Sequence, residues 1–113
     1  MISTELLEYA EAHCTPELPL LQKLNRETHL TRVYPRMLAG QMQGIFLRFI
    51  SEMIKPERIL EIGTFTGYSA INLAFGLQCH GILHTIEVDP EQEEIIRRYI
   101  IESGFENKIT LHI

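Results

Sequence analysis

The chain has 113 residues, which allow one small domain with a modest core. Hydrophobic residues make up 45% and charged residues 22% of it, a globular balance that excludes a disordered chain. The net charge of −5, from 10 basic and 15 acidic residues, excludes nucleic acid and anionic membranes as main partners, because both require a basic surface.

Helical patterns fill the first half of the chain. The apolar spacing predicts helices over 4–14, 17–32 and 38–54, with Ser3 or Thr4 capping the first. Pro35 separates the second helix from the third, because the residue before a proline avoids the helical region, and Pro56 ends the third. The apolar residues predicted to face inward are Leu6, Leu7 and Ala10, then Leu18, Leu20, Leu21 and Leu24, then Met42, Ile45, Phe46, Phe49, Ile50 and Met53.

Strands and helices alternate in the second half. The predicted strands cover 58–62, 82–88 and 108–113, and the predicted helices between them cover 67–77 and 90–103. Alternation of this kind predicts parallel strands joined by right-handed crossovers. The predicted fold is therefore α/β, the N-terminal half of a doubly wound, Rossmann-like parallel sheet preceded by three helices. It forms one partial domain, 1–113, with a helical segment at 1–56 and a β-α-β-α-β unit at 57–113.

The turn after the first strand carries the strongest functional signal. Glycines at 63 and 67 lie between strand and helix, where bare backbone can approach a ligand. The second strand brings Glu87, a carboxylate placed to bind a ribose diol. Residue 65 is Phe, so the G-x-G-x-x-G fingerprint for a pyrophosphate is absent. This pattern indicates a nucleoside cofactor without phosphates, in preference to NAD.

Other site chemistry has little support in the sequence. Cys14 and Cys79 form no C-x-x-C pair, which favours free thiols in a reducing compartment. The acidic N-terminal stretch is unlike a secretory signal, and no apolar run is long enough to span a bilayer, so we predict a cytoplasmic protein with no membrane partner. No metal site is predicted, because the histidines share no ligand spacing; they are His13, His29, His80, His84 and His112.

Two segments together resemble a known family. Glu61-x-Gly63-x-x-x-Gly67-Tyr68-Ser69 and the run Thr85 to Pro90 are similar to the class I S-adenosylmethionine-dependent methyltransferases, and most of all to the cation-dependent catechol and caffeoyl-CoA O-methyltransferases. The resemblance implies that Gly63 lies against the cofactor, that Ser69 binds its methionyl carboxylate and that Glu87 binds the ribose. It also implies that Met37 lines the cofactor pocket, with Glu61 and Phe65 in the same motif in less defined roles.

The same resemblance implies an activity. Such an enzyme transfers a methyl group from S-adenosylmethionine to a hydroxyl of a small, catechol-like acceptor, aided by a divalent cation such as Mg²⁺. The family's cation ligands and its catalytic lysine have no counterparts before Ile113. We therefore predict a truncated chain that holds the cofactor-binding half, carries no catalytic residue and has no activity alone. The open flank of the strand at 58–62 further predicts a homo-oligomer, such as a dimer.

Two alternatives stay open from the sequence. One is a non-catalytic binding or assembly module, which would bind a partner without methyl transfer. The other is a nicotinamide-dependent oxidoreductase built on a degenerate fingerprint. A comparison of NAD with S-adenosylmethionine as ligands separates the second alternative from the methyltransferase.

Overall fold

The computed structural model describes all residues from Met1 to Ile113. Its helices are α1 (Thr4–His13), α2 (Pro19–Thr31), α3 (Gly40–Ile54), α4 (Tyr68–Ala74) and α5 (Glu93–Glu102). Its strands are β1 (Arg58–Ile62), β2 (Ile82–Ile86) and β3 (Ile109–His112), and short 3-10 turns cover Pro35–Met37 and Pro90–Gln92. The predicted order of three helices followed by alternating strands and helices is confirmed. None of the helices is both long and apolar enough to cross a bilayer.

The predicted helix at 67–77 is shorter in the structure. Its last residues form tight turns, in which Gly76 N–H and Leu77 N–H donate to carbonyls three residues back at 3.3 and 3.2 Å. The predicted strand at 82–88 ends at Ile86, whose carbonyl accepts hydrogen bonds from Gly63 N–H and Thr64 N–H at 2.9 and 3.2 Å. The turn after β1 is therefore fastened to the end of β2.

The three strands form one parallel sheet in the order β1-β2-β3. The face that carries Leu83, Thr85, Ile109 and Leu111 is buried under the helices. The opposite face is open, with Leu60 66% and Ile62 80% exposed. Because β1 lies at the edge of the sheet, one side of its backbone has no neighbouring strand.

The prediction for α3 was wrong about the face that packs inward. Its buried residues are the small ones, Gly44 and Ser51, while Phe46, Phe49 and Met53 are exposed. Small residues are needed because α3 lies very close to α4: a Cβ added at Gly44 would be 2.6 Å from the Tyr68 ring. Phe46, Phe49 and Met53 mark the outer side of the helix, while Ile45 and Ile50 are half-buried.

The prediction for α1 was wrong as well. The helix begins as expected, with Ser3 Oγ accepting from Leu6 N–H at 3.3 Å, but it buries none of its residues. Leu6 and Leu7 are 58% and 40% exposed. By contrast α2 buries Leu21 and Leu24 in the main core, as predicted.

Gly76 provides a test of the α3–α4 packing. A Cβ at this position would lie 2.1 Å from the main-chain carbon of Ser51, an atom that cannot rotate away. We expect Gly76→Ala to lower the free energy of unfolding by about 1–3 kcal/mol, the usual cost of overpacking. Urea denaturation followed by circular dichroism measures the loss. The exposed Cys79→Ala variant is the control, and equal stability of the two variants would contradict this packing.

Candidate cofactor site

The turn of residues 63–67, called the glycine loop below, has an unusual backbone. Gly63, Phe65 and Gly67 have φ angles of 95°, 55° and 96°. The left-handed region costs a residue with a side chain roughly 1–2 kcal/mol, and glycine enters it freely. Phe65 must therefore be held in place by contacts that the loop makes.

Glu87 supplies the contact that holds Phe65. Its Oε2 atom accepts a hydrogen bond from Phe65 N–H at 2.6 Å, and its Oε1 atom accepts one from Asp89 N–H at 2.9 Å. Glu87 is only 8% exposed. A carboxylate has about four lone-pair positions, so the two backbone bonds leave two available for a ligand.

A network of buried and half-buried hydroxyl and carboxyl groups lies beneath the glycine loop. Glu61 accepts from Ser69 Oγ at 2.6 Å and from Thr85 Oγ1 at 2.7 Å. Thr85 Oγ1 also lies 2.5 Å from Thr64 Oγ1 in the loop. Burial raises the pKa of the Glu61 carboxyl above its ordinary value of 4.5, and the hydrogen bonds from Ser69 and Thr85 offset only part of this rise.

The raised pKa of Glu61 predicts a dependence of stability on pH. The folded chain binds this proton more tightly than the unfolded chain, so the contribution of Glu61 to stability is complete below pH 4.5 and declines as pH rises through the raised pKa. Glu61→Gln removes that decline while keeping a side chain that can accept hydrogen bonds.

The quantity compared is the Tm of Glu61→Gln minus the Tm of the parent chain. We expect this difference to be more positive at about pH 7 than at about pH 4. Thermal melts by circular dichroism at both pH values measure the change. The exposed Glu57→Gln variant is the control. A difference between Glu61→Gln and the parent that is constant with pH would show that Glu61 does not titrate in this way.

Two adjoining cavities flank the glycine loop, and Met37 and Phe65 line both. The cavity of about 390 Å³ also contains Glu87, Val88 and Tyr34. The cavity of about 230 Å³ also contains Gly63 and Ser69. A Cβ added at Gly63 would meet nothing within 4 Å, so the space in front of its backbone is open to a ligand.

Five of the six predicted site residues line this cleft, namely Met37, Gly63, Phe65, Ser69 and Glu87. The sixth, Glu61, lines neither cavity and acts through Ser69 and Thr85. In the ligand-free chain the single hydroxyl proton of Ser69 is donated to Glu61. The ligand-binding roles given to these residues remain predictions.

Sequence reasoning missed the threonines that fix the loop. Thr64, Thr66 and Thr85 are at most 2% exposed, and so is Thr28 of α2. A usable signal existed for Thr28, because it lies seven residues after Leu21 and four after Leu24, on the buried face of α2.

A larger cavity, of about 770 Å³, lies among the N-terminal helices. It contains Leu7, Glu11, Met42 and Phe46, and it borders the smaller cavity of the cleft at Arg36. It contains neither the glycine loop nor Glu87. The chain has no group of three or more His, Cys, Asp or Glu residues that could hold a metal ion.

The fold and the cleft define a class of protein. A glycine loop after one parallel strand, with a buried carboxylate after the next, is the nucleoside-binding arrangement of Rossmann-like α/β proteins. Comparison with known proteins gives the family. Residues 11–113 match the family model described as O-methyltransferase, and the chain belongs to this family.

Individual relatives agree with the assignment. The chain is 31% identical over 77 residues to a catechol O-methyltransferase of Niastella koreensis, covering 68% of this chain and 35% of that protein. It is 35% identical over 75 residues to catechol O-methyltransferase B of Danio rerio, covering 66% of this chain and 28% of that protein. The matched residues thus span about a third of the length of these relatives.

Solved structures show the same fold. The O-methyltransferase TomG from Streptomyces achromogenes, in complex with SAM, has a TM-score of 0.83 at 31% identity, over 93% of this chain and 47% of that one. An O-methyltransferase from Bacillus cereus, in complex with SAH, has a TM-score of 0.84 at 27% identity, over 93% of this chain and 47% of that one. The cofactor or its product is bound in both of those structures.

Proposed function

We propose that this chain forms the cofactor-binding half of an S-adenosylmethionine-dependent O-methyltransferase. Family membership supports the reaction class, and the complexes of TomG and of the Bacillus cereus protein support the cofactor. The position of Glu87 carries the proposal. Its buried carboxylate is fastened to the glycine loop at 2.6 Å and keeps lone pairs free for a cis-diol.

The two parts of the cleft suggest how the cofactor would lie. The larger part, with Glu87, takes the nucleoside, and the smaller part, with Gly63 and Ser69, takes the methionyl group. Ser69 would release its bond to Glu61 and donate its proton to the methionyl carboxylate. Phe65 and Met37, which line both parts, would then contact the middle of the cofactor. When bound, S-adenosylmethionine supplies an activated methyl group on its sulfonium centre.

The acceptor in this proposal is a small molecule with a hydroxyl group, as the names of the catechol O-methyltransferase relatives suggest. The divalent cation implied by the family resemblance finds no suitable group of ligands among these residues. We therefore assign no step to a metal. A cytoplasmic location, expected from the two unpaired cysteines, remains a prediction.

Calorimetric titration tests the proposal directly. We expect saturable binding of S-adenosylmethionine and of S-adenosylhomocysteine, and no heat from NAD. Binding of NAD alone would favour an oxidoreductase.

In a methyl-transfer assay with a catechol and Mg²⁺, we expect no turnover from this chain alone, and measurable turnover would contradict the assignment of a binding half without catalytic residues.

We also propose that the chain self-associates along the open edge of β1, burying the exposed side chains beside that edge. Leu60 and Ile62 expose apolar side chains beside the unpaired edge of β1, an arrangement that favours pairing with another chain. Sedimentation velocity should show dimers or larger species for the parent chain and a shift to monomer for Ile62→Lys. The control is Thr4→Lys, at the exposed start of α1. A monomeric parent chain would contradict the proposal.

A further inference from the structure

We propose that Thr28 of helix α2 is a positioning residue for the cofactor site: its hydroxyl holds the glycine loop in the conformation that binds the cofactor. The expected effect on cofactor binding rests on the proposed function. The effect of Thr28 on the loop rests only on contacts within the chain. Thr28 lines neither cavity of the cleft, so it acts only through the loop.

The contact is a buried pair of hydroxyl groups. Thr28 Oγ1 lies 3.0 Å from Thr66 Oγ1, in the glycine loop, and 2.7 Å from the Leu24 carbonyl oxygen. Both threonines are fully buried, at 0% exposure. Thr28 Oγ1 is placed as the donor to both oxygens, so its single proton is shared between the Leu24 carbonyl and Thr66 Oγ1. Loss of the Thr28 oxygen would leave the Thr66 hydroxyl buried without a partner.

Helix α2 is a firm support for this contact. Leu21 and Leu24, on the same face as Thr28, are buried in the main core. On its other side Glu27 accepts two hydrogen bonds from Arg98 of α5, at 2.6 and 3.1 Å, and one from Tyr99 Oη at 2.6 Å. The Arg98 guanidinium lowers the pKa of the Glu27 carboxyl, so the pair stays charged. Thr28 therefore has little freedom to move away from the loop.

The same helix reaches the other side of the cleft. Arg32, in the turn that ends α2, donates from Nε to Gln92 Oε1 at 2.6 Å, and Gln92 Nε2 donates to Asp89 Oδ2 at 2.8 Å. Asp89 follows Glu87 by two residues and donates its N–H to that carboxylate. One helix is thus fastened to the segments that follow β1 and β2.

Two hydrogen bonds donated by backbone N–H groups report on the loop conformation. Phe65 N–H donates to Glu87 at 2.6 Å, and Gly67 N–H donates to the Thr64 carbonyl at 3.0 Å. Both bonds break if the loop opens, and their amide protons then exchange with solvent. Leu83 N–H, which donates to Lys108 at 2.8 Å in the middle of the sheet, reports on the stability of the whole fold.

Hydrogen exchange by NMR on the ligand-free chain tests the inference. We expect Thr28→Val to speed exchange at Phe65 and Gly67 about three- to tenfold relative to Leu83, the range expected for one lost neutral hydrogen bond. Thr28→Ser should restore the slow exchange. The double variant Thr28→Val/Thr66→Val should show no further increase, and the exposed Thr110→Val variant on β3 should show none. Parallel acceleration at all three amides, or none at the loop, would overturn the inference.

Binding measurements separate this inference from the proposed function. If S-adenosylhomocysteine binds the parent chain, Thr28→Val should weaken it about three- to tenfold and Thr28→Ser should not. If it does not bind the parent chain, the proposed function fails, while the exchange rates still decide whether Thr28 holds the loop. Unchanged affinity in a folded Thr28→Val chain would contradict a role in the cofactor site.

Discussion

Glu87→Gln is expected to weaken binding of S-adenosylhomocysteine by about 100-fold or more. The carboxylate would accept the two ribose hydroxyls in a charge-assisted fork, and each such bond contributes about 1.5–3 kcal/mol. The amide replaces one acceptor oxygen by an NH₂ donor. That donor would face either the ribose or a backbone N–H, since Phe65 and Asp89 already donate to the two oxygens.

Isothermal titration calorimetry measures the loss, at a temperature where both proteins are folded. Glu106→Gln removes the same charge from an exposed loop position and is the matched control, with unchanged affinity. Equal affinities of Glu87→Gln and the parent chain would show that Glu87 serves the loop structure alone.

Gly63→Ala is expected to weaken the same ligand about 10- to 100-fold, the usual range for one overpacked methyl group. In the free chain the added Cβ meets nothing within 4 Å. Any loss of binding beyond backbone strain must therefore come from the ligand, which would approach the bare backbone of Gly63.

Gly104→Ala is a control that is matched in backbone and surroundings. Gly104 has a φ of 77° against 95° for Gly63, and its Cβ would also meet nothing within 4 Å. Both variants should lose about 1–2 kcal/mol of stability from left-handed strain, measured by urea denaturation. Only Gly63→Ala should lose affinity. If both keep their affinity, no ligand lies against Gly63.

The order of elements could be predicted because each carries a local signal. Turn residues and apolar runs defined the three strands, and Asp89 does cap the turn before α5, accepting from Glu91 N–H at 3.0 Å. The inward face of α3 could not be predicted in this way. Its packing is set by the close approach of α4 to Gly44 and Ser51, which is a property of the assembled layer and not of the periodicity of one helix.

The same distinction between predictable and unpredictable features holds for the site. Gly63 and Glu87 could be predicted to come together, because parallel strands bring their carboxyl ends to one edge of the sheet. The bond from Ser69 to Glu61 and the bond between Thr66 and Thr28 could not. Glu61 and Ser69 belong to one short motif, but the motif does not indicate that their side chains bond to each other, and Thr28 lies 38 residues from Thr66 in the chain. Hydroxyl groups gain such specific partners only once the surrounding core has closed.

The central claim is that Glu87 and the glycine loop bind the same nucleoside. A crystal structure of this chain with S-adenosylhomocysteine tests it most directly. The account predicts both ribose hydroxyls within about 3 Å of the Glu87 carboxylate oxygens, with the backbone of Gly63 against the ligand. A nucleoside bound elsewhere, or a ribose turned away from Glu87 into solvent, would contradict it.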